Sequence, residues 1–157
     1  MRATCSPQPS FADFELQAQG LALDPTLQAI ATILDEQPGL LDLVHADLQR
    51  GLRHPRTGRT GLTAEQVLRT FVLQRVKNWD LRELRERTAD GYTLRIFTGF
   101  FSAAVPRHDA LHRAFLRLTP DTVRALNDLV IQGAVAQGLE DGQKLRADTT
   151  VVETNIH

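Results

Sequence analysis

A chain of 157 residues, 42% hydrophobic and 24% charged, has room for one folded domain and the make-up of an ordinary globular protein. No apolar run reaches the roughly 18 residues that a membrane helix needs. The N-terminus lacks the apolar core of a secretory signal, and the lone Cys5 allows no internal disulfide. These features point away from membrane-spanning and disulfide-stapled classes and make a reducing cytoplasm the expected setting; no Cys/His spacing offers a zinc site.

The formal net charge of −1 hides an asymmetry. Residues 1–49 carry a net of −6, residues 50–118 a net of +8 and residues 119–157 a net of −3. A basic middle between acidic flanks fits a surface that faces a polyanion. The competing explanation is arginines spread over several helices as solvated faces.

Residues 1–20, with Pro7, Pro9 and few aliphatics, are predicted to be a flexible N-terminus, with Phe11, Phe14 and Leu16 available to dock on the body. Residues 21–138 read as one helical domain. Asp24-Pro25 opens its first helix, an N-cap followed by proline at the first helical position. Leu27, Ile30, Ala31 and Leu34 fall on one face of that helix. A second helix follows Pro38-Gly39, with Leu40, Leu41, Val44 and Leu48 inward and Gly51 as its stop; His45 is a boundary residue. Residues 50–61, RGLRHPRTGRTG, form a loop whose Arg50, Arg53, Arg56 and Arg59 suit phosphate contact, since guanidinium forks match phosphate oxygens. A plain solvated linker is the alternative.

Thr63-Ala-Glu-Gln66 is a capping-box pattern that starts a third helix, and Asp80-Leu-Arg-Glu83 is another that starts a fourth. Two helices joined by a short turn around Trp79, the second carrying Arg82 and Arg85, make a helix-turn-helix-like core. Trp79 reads as a plug at the turn. A short aromatic helix is expected from Tyr92 to Phe101, another around Leu111 and Phe115 with His112, Arg113 and Arg117 outside, and the longest from Pro120 to Gly138.

Residues 144–157, KLRADTTVVETNIH, change character. β-Branched residues crowd together as in a strand. Alternation puts Asp148 and Thr150 on one face and Glu153 on the other. A carboxylate in mid-strand is disfavoured unless it has a task, and metal binding is one; a surface salt bridge is the alternative.

From Gly61 onward the chain resembles bacterial insertion-sequence transposases of the acidic-triad (DDE) class. Gly61-Leu-Thr-Ala-Glu-Gln-Val-Leu-Arg, Trp79-Asp-Leu-Arg-Glu-Leu and Arg95-Ile-Phe-Thr-Gly-Phe resemble the helical N-terminal domain of that family. Residues Leu21 to Leu52 resemble the leading segment of one subgroup. Arg107-His-Asp-Ala-Leu-His-Arg-Ala-Phe departs from the family's Ser-Thr-Leu-containing helix. Leu145-Arg-Ala-Asp-Thr-Thr-Val-Val-Glu-Thr-Asn-Ile-His resembles the first strand of the RNase-H-like catalytic domain.

The resemblance implies a mainly α architecture: a helical DNA-binding N-terminal domain followed by the first β-strand of a truncated RNase-H-like domain. It makes Asp148 the first catalytic acid and a Mg²⁺ ligand, with Arg50, Arg53, Arg56, Arg59, Arg82 and Arg85 as candidate contacts to double-stranded DNA at element terminal repeats. With one triad acid the chain is expected to bind DNA without cutting it and to hold Mg²⁺ only weakly. Bacterial cytoplasm, at the nucleoid, is the implied location. The alternatives are a helical interaction module that dimerises, or that pairs with or inhibits full-length transposase, and a nonfunctional remnant.

Overall fold

The computed structural model describes residues 2–6, 10–18, 22–54, 57 and 60–136. Among them lie eight helices: α1 Phe11–Ala18, α2 Pro25–Asp35, α3 Pro38–Gln49, α4 Ala64–Lys77, α5 Leu81–Asp90, α6 Tyr92–Phe97, α7 His108–Phe115 and α8 Pro120–Ala136. The described residues contain no strand, in keeping with a mainly α chain. The predicted strand at 144–157 lies outside the described residues.

Local signals place the helix starts. Asp24 caps α2, accepting from the Thr26 amide at 2.8 Å, with Pro25 at the first helical position. Thr63 and Gln66 form a complete capping box on α4, each side chain bonded to the other's backbone amide at 3.1 Å. Asp80 caps α5 through the Arg82 and Glu83 amides, while the Glu83 side chain turns forward to Arg87 at 3.3 Å. Asn78, in the left-handed conformation at φ 51°, ends α4. Gly51 does the same beyond α3 at φ 74°.

The predicted inward faces are buried: Leu27, Ile30, Ala31 and Leu34 on α2, Leu40, Val44 and Leu48 on α3, and Val67, Leu68, Phe71 and Val72 on α4. Leu84 of α5, Leu111 of α7 and Leu126 of α8 complete one core. Each of the larger of these side chains stabilises the fold by about 1.5–3 kcal/mol relative to exposure. α4 runs through the middle, against α3, α5 and α7, and α8 closes over α2 and α3. Phe71 meets Phe115 edge to face at 5.2 Å, joining α4 to α7. Trp79 packs partly buried against this core with the Arg87 guanidinium 5.8 Å above its ring.

Two local expectations are corrected. The aromatic helix stops at Phe97 rather than Phe101, because the chain turns through left-handed Gly99 (φ 71°) and Phe101 (φ 48°). Arg95 pins that turn by donating to the carbonyls of Phe101 (2.6 Å), Ala103 (2.6 Å) and Ala89 (3.1 Å). Phe11 and Phe14 are 91% and 58% exposed and do not dock. Their helix is held by a polar side chain instead: buried Asp13 accepts from Ser10 and from the Tyr92 hydroxyl at 3.1 Å.

Residues 1–20 are predicted to form a flexible N-terminus, and the described part of that stretch is bonded to the body. The Ala3 and Thr4 carbonyls accept from the Ala64 and Glu65 amides, both at 3.0 Å. The Ser6 amide donates to the Glu65 carboxylate at 2.7 Å. His45 of α3 donates through Nε2 to the Arg2 carbonyl at 3.2 Å.

Asp47 ties α3 to the start of α8. Its carboxylate accepts from the Thr119 amide at 2.8 Å and the Thr119 hydroxyl at 3.1 Å. Burial alone would raise this carboxyl, but the Thr119 amide, the Thr122 and Thr119 hydroxyls and the Arg50 charge outweigh it and hold it below the ordinary carboxylate range. A depressed native pKa gives stability that is fully present above the unfolded value of about 3.9 and is lost as pH falls through the native value. Asp47→Ala is therefore expected to cost about 1–3 kcal/mol at neutral pH in urea unfolding. The gap from the parent protein should narrow as pH falls below about 4. Gly99→Ala is expected to cost about 1–3 kcal/mol by the same measurement, since a Cβ there is strained at positive φ and collides with Ser6 Oγ.

Candidate nucleic-acid interface

The arginines of the basic middle divide by what they touch. Arg69 spans Asp35 and Glu65, and Arg87 pairs with Glu83. Arg95 is spent on three carbonyls, and Arg75 lies over the Phe71 ring at 5.1 Å. Lys77 reaches back to Asp24 at 2.7 Å. The donors of these side chains are taken up within the protein. Arg53, Arg82, Arg85, Arg107 and Arg113 form no side-chain hydrogen bond or ion pair among the described residues, so their donors face solvent or a ligand.

Three of the free arginines share one cleft. α4 ends at Lys77 and α5 begins at Leu81, so the turn between them is Asn78-Trp79-Asp80. Leu84 and Thr88 of α5 are buried, which directs Arg82 outward and leaves Arg85 at the edge. α5 packs on α7, and the start of α7 supplies Arg107, His108 and Asp109. Arg82, Arg85, Glu86, Arg107, His108 and Asp109 line a cleft of about 460 Å³.

Acids border this cleft as well as arginines. Asp109 is taken by His108 at 2.9 Å. Asp80 is engaged by the Glu83 and Arg82 amides, which together with the Arg82 and His108 charges hold it below the ordinary carboxylate range. Glu86 remains against three guanidiniums. Forked donors at this density match phosphate oxygens, each fork able to take two of them.

Of the residues singled out in the sequence, the structure brings Arg82 and Arg85 together. Arg50 lies elsewhere, at the end of α3, where its guanidinium donates to the Arg117 carbonyl at 3.0 Å while Arg117 donates back to the Arg50 carbonyl. Arg53 is exposed on the loop beyond. Arg56, Arg59 and Asp148 lie outside the described residues. Among the described residues, no three His, Cys, Asp or Glu side chains gather closely enough to hold a metal ion. No described helix is long and apolar enough to cross a membrane.

Sequence reasoning missed Arg107 as a partner of α5. Spacing carries only part of the signal: Arg113 and Arg117, four residues apart, share a face of the chain at α7, whereas Arg107, six residues before Arg113, is turned about 120° from it.

No curated protein and no solved structure matches the chain. A family model described as Transposase domain (DUF772) matches residues 18–117, which takes in α2 to α7 and both walls of the cleft. That match covers more than half of the 157 residues, and the chain belongs to the DUF772 transposase-domain family.

Proposed function

We propose that this protein is the DNA-binding part of an insertion-sequence transposase of the acidic-triad class, engaging duplex DNA at the element's terminal repeats during transposition. The observation that carries the reading is the cleft in which Arg82 and Arg85 of α5 meet Arg107 at the start of α7. The three-residue turn between α4 and α5 gives these helices a helix-turn-helix-like connection, with α5 as the element presented to DNA. Arg50, Arg53, Arg56 and Arg59 would add phosphate contacts from the α3 end and the loop after it.

In this reading Asp148 is the first carboxylate of an RNase-H-like site and a ligand for Mg²⁺. Two-metal phosphoryl transfer needs several converging acids, and residues 144–157 offer one on that face of the strand. Bound Mg²⁺ would supply charge stabilisation at the transferring phosphate. The protein would act in the bacterial cytoplasm at the nucleoid.

A second reading, an interaction module that dimerises or pairs with full-length transposase, rests on one apolar groove. Phe71, Val72, Val76, Leu126 and Ile131 line it between α4 and α8, and Ile131 is 52% exposed. A change in mass on Ile131→Asp, read by light scattering without DNA, would favour that module.

Fluorescence anisotropy with an element-end duplex and an unrelated duplex, at two salt concentrations, tests the DNA reading. Binding is expected to weaken steeply with salt, because displaced counterions drive it. Replacing Arg82 and Arg85 together with Gln is expected to flatten the log–log salt slope by about one per lost phosphate contact. No binding at low salt would refute the proposal. With Mg²⁺ added, residues 1–157 alone are expected to leave the duplex uncut; nicking abolished by Asp148→Ala would overturn the incomplete-site reading.

A further inference from the structure

A second arginine cleft also borders α7, farther along the chain than Arg107. Arg2, Gly61, Leu62, Ala110, Arg113, Ala114 and Arg117 line a cleft of about 520 Å³. Among the described residues three guanidiniums line it and no carboxylate does. The acids on the surrounding elements are engaged elsewhere: Asp47 with Thr119, Asp109 with His108, Glu65 with Ser6 and Arg69. From the phosphate-binding chemistry of this grouping we propose that the cleft formed by the N-terminal segment and α7 holds a phosphate, a backbone phosphodiester of the bound duplex, between Arg2, Arg113 and Arg117.

The positions of the three arginines are built rather than incidental. Arg2 is carried by a segment whose Ala3 and Thr4 carbonyls cap α4, and its own Nη1 donates to the Leu62 carbonyl at 3.3 Å. The guanidinium lies in the space a side chain at residue 61 would fill, so Gly61 is what lets it reach the cleft. Arg117 Nε is buried and has no hydrogen-bond partner, although Nη2 of the same guanidinium donates to the Arg50 carbonyl. Arg113 is exposed, and its side chain has no partner among the described residues. Burial and the neighbouring Arg117 charge both pull the Arg2 guanidinium below its ordinary value, so two like charges lie close together at this cleft. Like charges held close destabilise a site, and an oxyanion removes that cost while taking up the unpartnered donors.

Phosphate suits this geometry better than a single carboxylate, because it offers oxygens to several forks at once. The choice of a DNA phosphate rests on the DNA-binding reading above and on continuity along α7. From Arg107 to Arg117 is about 15 Å at the rise of a helix. Backbone charges recur about every 3.4 Å of duplex axis on one strand. The two clefts thus border the same helix at an axial separation that spans a few successive phosphates.

The test uses the full chain, two probes and three variants. Melting is followed in sodium phosphate and in sodium chloride at matched ionic strength, and duplex binding by anisotropy over a salt series. Arg113→Gln removes no contact of the fold, so its melting in chloride should match that of the parent. Gly61→Ala should displace Arg2 without deleting a charge. Arg82→Gln reports on the other cleft. Phosphate is expected to raise the melting temperature of the parent and of Arg82→Gln but not that of Arg113→Gln or Gly61→Ala. Arg113→Gln is also expected to weaken duplex binding several-fold and to flatten its salt slope by about one.

Duplex binding lost in Arg82→Gln but unchanged in Arg113→Gln, with no phosphate effect on melting, would overturn this site and leave the DNA reading standing. An Arg113-dependent phosphate effect in a protein that binds no duplex would overturn the DNA reading and the phosphodiester assignment, while supporting an oxyanion site for a free phosphate compound.

Discussion

The N-terminus of α4 is the constraint on which the rest of the arrangement depends. A helix begins with amide groups that have no partner within it, and a buried helix cannot leave them to water. α4 is the central helix, with Ala64 and Val67 fully buried. Its amides are met by two pieces of chain, and its capping side chain reaches a third. Thr63 takes the Gln66 amide, the Ala3 and Thr4 carbonyls take those of Ala64 and Glu65, and the Gln66 side chain continues to the Gly99 carbonyl at 3.2 Å. Capping one helix therefore fixes the N-terminal segment on one side and the turn after α6 on the other.

The consequences reach the charged surface. Anchored at Ala3 and Thr4, the segment delivers Arg2 to Gly61 and Leu62, beside Arg117. Fixed through Phe71 and Phe115, α7 presents Arg107 towards α5 at its start and Arg113 and Arg117 towards the N-terminal segment at its end. α7 is a short helix with two basic ends of use, and neither would be placed without the packing of α4. Where the proposed phosphate binds, it does so to groups whose positions are set by caps and aromatic contacts, so little side-chain ordering is left to be done on binding.

Much of the helical fold is legible in the sequence because its signals are local. Asp24-Pro25, the Thr63–Gln66 box and the Asp80 cap each act within four residues, and the buried faces of α2, α3 and α4 follow from apolar spacing alone. The aromatic run at 92–101 was not legible, because the residue that ends the helix is Gly99, whose left-handed conformation answers to Ser6 and Gln66 far away in sequence. The N-terminal segment was not legible for a related reason. Its attachment is made by backbone carbonyls and by Asp13, and composition carries no trace of either.

The candidate site was half legible, and the reason lies in how charge is shared out. A net of +8 over residues 50–118 counts every arginine equally. Folding does not treat them equally: Arg69, Arg87 and Arg95 are consumed by Asp35, Glu65, Glu83 and main-chain carbonyls, whereas Arg82, Arg85, Arg107 and Arg113 are left free. Surface ion pairs contribute little to stability, so the first group matters mainly because it withdraws charge from the surface. The second group gains by contrast. Loop arginines such as Arg53 attract attention in the sequence because glycine and proline surround them, yet those on α5 and α7 are the ones held by rigid elements. Groups held on helices are pre-formed, and α7, which looks like an ordinary amphipathic helix in the sequence, borders both basic clefts.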